Sequence, residues 1–193
     1  LLWLIRSYTE KRDYSSALSL INEIKNDRKF PKKLETDLAL NTADLFIQKK
    51  DFISAESELR KVLGLIKSKR KKVRINYILA QLYQYSNNYA LAKKHYKLVL
   101  NSNPEYEMTF NAKMNLARSL EGGDSDLKKI RKELLKMIRD DKNKEYLDQL
   151  YYTIAEMDIT NKDTLGAQDN YTLSTLNSID NTTQKSLSFL ALA

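Results

Sequence analysis

The chain has 193 residues, with 33 Lys and Arg against 25 Asp and Glu, a net charge of +8. Apolar residues make up 42%, enough for a core, while 4 Gly and 2 Pro are too few for the turns of a β-rich fold. The lack of Cys excludes disulfides, thiolate metal sites and cysteine nucleophiles, and a single His removes most other metal and acid–base chemistry.

In chain order, Ile5 marks a first helix, and Asp13-Tyr14 opens a second that carries Ala17. Ala43 marks the third, and Asp51-Phe52 opens the fourth, with Ala55. Ala80 marks the fifth, and Asn88-Tyr89 opens the sixth, with Ala92. Ala117 marks the seventh. After it, the longer connection Glu121-Gly122-Gly123-Asp124 lets the chain turn, Asp124-Ser125 is expected to open the eighth helix, and the skipped member of the second Ala series is expected near Leu127. Ala155 marks the ninth, Asp163-Thr164 opens the tenth with Ala167, and Ala191 falls in an eleventh.

The first Ala series recurs every 36–38 residues. Three residues after its members stand Tyr8, Phe46, Tyr83 and Leu120, a rule that Asp158 breaks. Small residues let helices approach, and large neighbours fill the space beside them. Asp or Asn before the second helix accepts from its free N–H groups. The pattern predicts an all-α chain of about eleven helices in antiparallel pairs. The units run approximately over 1–35, 36–72, 73–109, 110–147 and 148–183, with a partial unit at 184–193.

These positions resemble the tetratricopeptide repeat. The match is best in Tyr77-Ile78-Leu79-Ala80-Gln81-Leu82-Tyr83, Asn88-Tyr89-Ala90-Leu91-Ala92, Tyr96 and Pro104. The period is longer than the usual ~34 residues, which predicts an extra turn on the second helices or longer links. The resemblance implies an α-solenoid: a right-handed superhelix of about five repeats plus one helix, with first helices lining the concave face. A narrower likeness covers Asn103-Pro104, Phe110-Asn111-Ala112-Lys113 and the stretch from Asp141 to Tyr152. It is similar to tetratricopeptide lipoproteins of Bacteroidetes gliding motility and type IX secretion. That likeness implies a periplasmic or outer-membrane-associated protein, and otherwise the cytoplasm is expected.

Helical spacing selects the residues of the concave face. They are Asn41 and Asp44, then Arg74, Tyr77, Gln81 and Tyr85, then Asn111 and Arg118, then Tyr152 and Glu156. This mixture of aromatic and polar groups suits a protein or peptide partner, with the tyrosines as anchors. Solvated positions on a helix are the alternative reading. Family members that clamp a C-terminal carboxylate use Lys and Asn; here the corresponding places hold Leu2, Arg6 and Asn41, so that clamp is not expected.

Charge is concentrated in two stretches. Residues 25–33 carry Lys25, Arg28, Lys29, Lys32 and Lys33 against Asp27, and residues 67–74 carry Lys67, Lys69, Arg70, Lys71, Lys72 and Arg74. Both are expected to be links, placing a basic edge beside the first three units. Nucleic acid or another anionic surface is therefore the alternative partner, the former disfavoured. His95 is expected to be a surface histidine, and Asp140-Asp141 a solvated pair in a link. No cofactor, metal or catalytic residue is expected.

The N-terminal run Leu1-Leu2-Trp3-Leu4-Ile5-Arg6 is far shorter than a signal-peptide core. No window approaches the roughly 18 apolar residues of a spanning helix. Both ends are expected to be cuts in a larger protein, with any targeting signal or lipid anchor outside these residues. The whole reads as a non-catalytic interaction scaffold.

Overall fold

The computed structural model describes every residue except Gly122 and Asp124. Among the described residues there are eleven α-helices and no strand. They divide into two compact units, residues 1–88 and 89–193. The first unit holds α1 (Leu2–Glu10), α2 (Tyr14–Asn26), α3 (Glu35–Gln48), α4 (Phe52–Leu65) and α5 (Lys69–Tyr85). The second holds α6 (Tyr89–Leu100), α7 (Tyr106–Arg118), α8 (Leu127–Ile138), α9 (Leu147–Thr160), α10 (Thr164–Asn177) and α11 (Thr182–Leu192). Short 3-10 turns, Lys32–Leu34 and Asp141–Tyr146, precede α3 and α9. The second helices span only 12–14 residues, so the long period shows in these two links and, where the α4–α5 link is short, in α5, which spans 17 residues.

In four of the helix pairs, α1–α2, α3–α4, α5–α6 and α9–α10, the turn is built the same way. Arg12, Lys50, Asn87 and Lys162 adopt left-handed backbone, with φ of 60°, 61°, 56° and 64°. The next residue closes the finished helix by donating its N–H backward. Asp13 donates to the Tyr8 carbonyl (2.9 Å), Asp51 to Phe46 (2.9 Å), Asn88 to Tyr83 (2.8 Å) and Asp163 to Asp158 (2.8 Å). This left-handed closure satisfies carbonyls that a helix end would leave bare. The Asp side chains then cap the following helix: Asp13 accepts from Ser16 N–H (3.2 Å), Asp51 from Ser54 (3.1 Å) and Asp163 from Gly166 (3.0 Å). These caps hold the Asp13 and Asp51 carboxyls below the usual carboxylate range, chiefly through the hydrogen bonds of Ser16 and Ser54.

The small-residue series lies in the core. Ala43, Ala80, Ala117 and Ala155 are buried, as are Ala17, Ala55, Ala92 and Ala167, while Ile5 fills the first place. Ala191 departs from the expectation: it is exposed on α11. In the first unit the core joins Ile5, Ala17, Leu20, Ile21, Ile24, Leu38 and Leu45, with Tyr8, Tyr14 and Phe46 packed against it.

Two expectations about the second unit change. The proposed cap Asp124 lies outside the described residues, and α8 opens only at Leu127, with Asp126 at its cap. Buried Ile130 then takes the place of the missing Ala, 38 residues after Ala92 and 37 before Ala167. His95 is not a surface histidine; it is buried on α6.

Asp158, the exception in the sequence rule, has a structural reason. The residue is 2% exposed. It accepts from Arg131 Nε (3.0 Å) and Nη2 (3.3 Å) on α8 and from Asn170 Nδ2 (2.8 Å) on α10. An ion pair thus sits where other units place an apolar side chain, and it ties three helices together. A second polar layer joins α9, α10 and α11. Ser174 hydroxyl donates to the Asp148 carbonyl (2.7 Å) and lies 2.7 Å from Ser188, and the Ser178 hydroxyl reaches Asp148 Oδ2 (3.3 Å).

Candidate functional site on the first helices

Asn41 and Asp44 lie on α3 facing α1. Between these helices is an open cavity of about 310 Å³ lined by Leu2, Trp3 and Arg6 from α1 and Asp37, Leu40 and Asn41 from α3. The two helices run with an offset of 38 residues, one period, which sets Leu2 beside Leu40 and Arg6 beside Asp44. The Arg6 guanidinium stands over the Trp3 ring, 5.9 Å from its centroid, a cation–π contact one turn along α1. Burial raises the Asp44 carboxyl; Glu10 beside it adds to this, while Arg6 and a Gln48 hydrogen bond oppose it. Trp3, Asp37 and Leu40 were not among the residues that helical spacing selected. The spacings Trp3-x-x-Arg6 and Asp37-x-x-Leu40-Asn41 do put each set on one helix face.

On α5, Tyr77 and Gln81 are half-buried, while Arg74 is exposed. Tyr85 is 74% exposed, and its ring stacks on Phe52 at 5.8 Å between centroids. Phe52 opens α4, so Tyr85 sits at the turn end of its helix. Nearby, the Tyr83 hydroxyl donates to Glu56 (2.5 Å) and accepts from Arg60 Nη2 (2.9 Å), which fastens α5 to α4.

In the second unit, Arg118 and Glu156 pair with each other, Nε to Oε2 at 2.9 Å, linking α7 to α9. Tyr152 meets Tyr171 edge to face at 5.2 Å, against Ala155 and Ala167, so its ring packs between α9 and α10. Asn111 is half-buried on α7. A further cavity of about 510 Å³ lies between α6, α7 and α8. Two ion pairs line it, Lys97 with Asp126 and Lys113 with Glu133 at 3.0 Å, and Lys129 adds a further cation.

The first basic stretch lies mostly in a link, as expected, and the second does not. Lys29, Lys32 and Lys33 are exposed in and before the 3-10 turn that precedes α3. Lys69, Arg70, Lys71, Lys72 and Arg74 are not in a link; they form the opening of α5, whose first turn has no acidic residue. Ser68 caps that helix, accepting from Lys71 N–H at 3.4 Å. Lys25 is committed to Glu58, 3.0 Å away, which also receives Lys61 at 2.8 Å. Burial alone would raise the Glu58 carboxyl, but the hydrogen bonds of Lys61 and Lys25 hold it below its usual value.

Among the described residues, no His, Cys, Asp and Glu group could hold a metal ion, and no helix is long and apolar enough to cross a membrane. No family model matches the sequence, and no curated protein matches it. The fold is similar to that of RapI, a helical-repeat protein solved in its apo form, with a TM-score of 0.72 at 17% identity. The similarity covers 92% of this chain and 52% of RapI, so the chain spans about half of that protein's length. With eleven helices in successive pairs among the described residues, the chain is an α-solenoid of the helical-repeat class.

Proposed function

We propose that the chain is a tetratricopeptide-like scaffold that binds a segment of a protein partner on the face of its first helices. The observation that carries this reading is the state of that face. Asn41, Asp44, Tyr77 and Gln81 are half-buried, held by neighbouring helices rather than freely solvated. Side chains held in this way lose little entropy when a partner docks. Within the first unit Tyr77 and Tyr85 supply the large rings; the second unit carries a charged pair of its own, Arg118 with Glu156, that a partner could extend.

Replacing Tyr77 and Tyr85 together by Ala is expected to abolish capture of a partner from cell extract while the far-UV helical signal stays unchanged. Replacing Lys69, Arg70, Lys71 and Lys72 by Ser is expected to change capture mainly through its salt dependence. If the lysine variant loses the partner and the tyrosine variant keeps it, the alternative stands. That alternative is an anionic partner on the exposed cations opening α5 and flanking the Lys32–Leu34 turn.

A place in a secretion or gliding assembly of the cell envelope rests on the resemblance of residues 103–152 alone. A lipoprotein signal ending in Cys, read from the encoding gene, would support it, and a gene whose product carries no export signal would refute it.

A further inference from the structure

From residue 59 to residue 104 the chain holds eleven Lys and Arg and no Asp or Glu. The fold accounts for some of these cations. Arg60 and Lys61 on α4 are tied to Glu56 and Glu58, and Lys97 on α6 pairs with Asp126. Lys67, Lys69, Lys71, Lys72 and Arg74 differ: all are exposed, and among the described residues none of them is in an ion pair. Successive helical residues point about 100° apart, so Lys69 to Lys72 surround the opening turn of α5. Burial on α5 begins only at Val73, which leaves that turn clear of the core. In the same compact unit, Arg28, Lys29, Lys32 and Lys33 are exposed around the Lys32–Leu34 turn, again outside any ion pair among the described residues. The two stretches lie one period apart, since 38 residues separate Lys29 from Lys67 and Lys33 from Lys71. Each leads into a first helix, and α4, packed against both α3 and α5, ends between them. Both stretches therefore stand at one end of this unit, opposite the Asp13 and Asp51 turns.

We propose that this end of the first unit docks on an anionic lipid bilayer. The proposal is independent of the groove on the first helices. Charge complementarity selects an anionic partner, and three features select a bilayer over nucleic acid. The cations are seven Lys and three Arg. Lys meets a phosphate as a point charge, whereas the fork of Arg suits oxygens in fixed places. No group is offered to bases: residues 67–74 contain no ring or side-chain amide, and Phe30 packs on the core. Exposed apolar groups sit among the cations instead, Pro31 in the first stretch and Leu65, 47% exposed, just before the second. Such groups can enter the boundary between headgroups and acyl chains. Lipid headgroups also move in the plane and can gather beneath lysines that nothing holds in place, while the phosphates of a duplex keep their spacing.

The test is sedimentation of the 193-residue chain with vesicles of phosphatidylcholine, alone or mixed with phosphatidylglycerol. At ~0.1 M salt the mixed vesicles are expected to carry the chain down and the neutral ones to leave it in solution, and raising salt to ~1 M should release it. Each cation near such a surface contributes roughly fivefold to partition, so Lys69→Ser with Lys71→Ser should weaken binding roughly 30-fold. Lys69→Arg with Lys71→Arg should bind as the unaltered chain does. Lys11→Ser with Lys49→Ser removes the same charge from the opposite end of the helices and should leave binding nearly unchanged. Equal losses in the two Ser variants would mean that net charge alone is read, and would overturn the proposal. So would sedimentation with neutral vesicles to the same extent, or no sedimentation with either. Capture of a short DNA duplex at ~0.1 M salt, with none by the mixed vesicles, would assign these cations to nucleic acid and overturn it as well.

Discussion

Arg12, Lys50 and Lys162 occupy left-handed backbone without being Gly, and each costs its turn roughly 1–2 kcal/mol relative to ordinary helical backbone. Gly adopts that conformation freely but gives up more chain entropy. Replacing any one of them by Gly is therefore expected to stabilise the protein by about 0.5–1 kcal/mol in urea unfolding, and a loss of stability would show that the side chain itself holds the turn. The cap that follows was legible in the sequence, because Asp before a helix has a mechanism. The left-handed residue was not, since Arg and Lys carry no turn signal; only Asn87 is of a type that favours it. Another residue-scale effect lies at Tyr171, whose phenol is pushed up to about 12 by burial, and further by Glu156 and Tyr152. Its folded value lies above the unfolded value near 10. Its contribution to stability is thus complete below pH 10 and declines as pH rises toward 12. Tyr171→Phe is expected to flatten the fall in thermal midpoint across that window; an unchanged slope would place the alkaline loss elsewhere.

At the scale of a helix, α5 is assembled against its own dipole. Lys69, Arg70, Lys71 and Lys72 crowd the end where partial positive charge already gathers, and Ser68 is the one side chain capping it. Lys69→Glu and Lys71→Glu are each expected to raise stability by about 0.3–1 kcal/mol, read from the urea midpoint. A lowered midpoint would mean that these cations have unseen work within the fold. The sequence suggested a link here because a run of cations breaks the apolar pattern, but Val73 and Ile75 are buried and extend the helix backward from Ala80. The start of α8 was missed for a related reason. Asp126 stands at the cap of α8, and the register of the helix is fixed by buried Ile130 in the slot usually held by Ala, which no local pattern announces. Asp158 shows the limit more plainly, since its partners Arg131 and Asn170 come from two other helices and no local pattern announces them.

Taken whole, the chain is a strongly basic protein, several of whose acidic groups are spent on particular tasks, among them caps at Asp13, Asp51 and Asp163 and ties at Glu58 and Asp158. Raising ionic strength from about 0.01 M to about 0.15 M shortens the screening length from ~30 to ~8 Å. Relief of self-repulsion by about 1 kcal/mol should raise the thermal midpoint by about 2–4 °C. A midpoint that falls instead would show that the ion pairs outweigh the surplus of cations. The helical-repeat architecture was readable at this scale because its signal is a period, repeated until accident is excluded. The candidate site was readable only in part. Asn41 and Asp44 follow from helical spacing, but Trp3, Asp37 and Leu40 become neighbours of Arg6 only when α1 and α3 are laid side by side.

The double duty of Asp13, Asp51, Asn88 and Asp163 has a consequence for how such a chain changes over generations. Each of these residues ends one helix and stands immediately before the next, so the instruction for a turn is confined to a few consecutive codons. Removing residues 52–88, one period of 37, would join Asp51 directly to Tyr89, and the new junction would still read cap then ring. Duplicating the same stretch would place a second copy of Phe52 after Asn88, with the same result. Recombination at these points gains or loses whole repeats in frame and in register, while an insertion of a few residues inside a helix rotates everything after it off the core. The lineage of such a protein is thus freer to vary in length than in pitch.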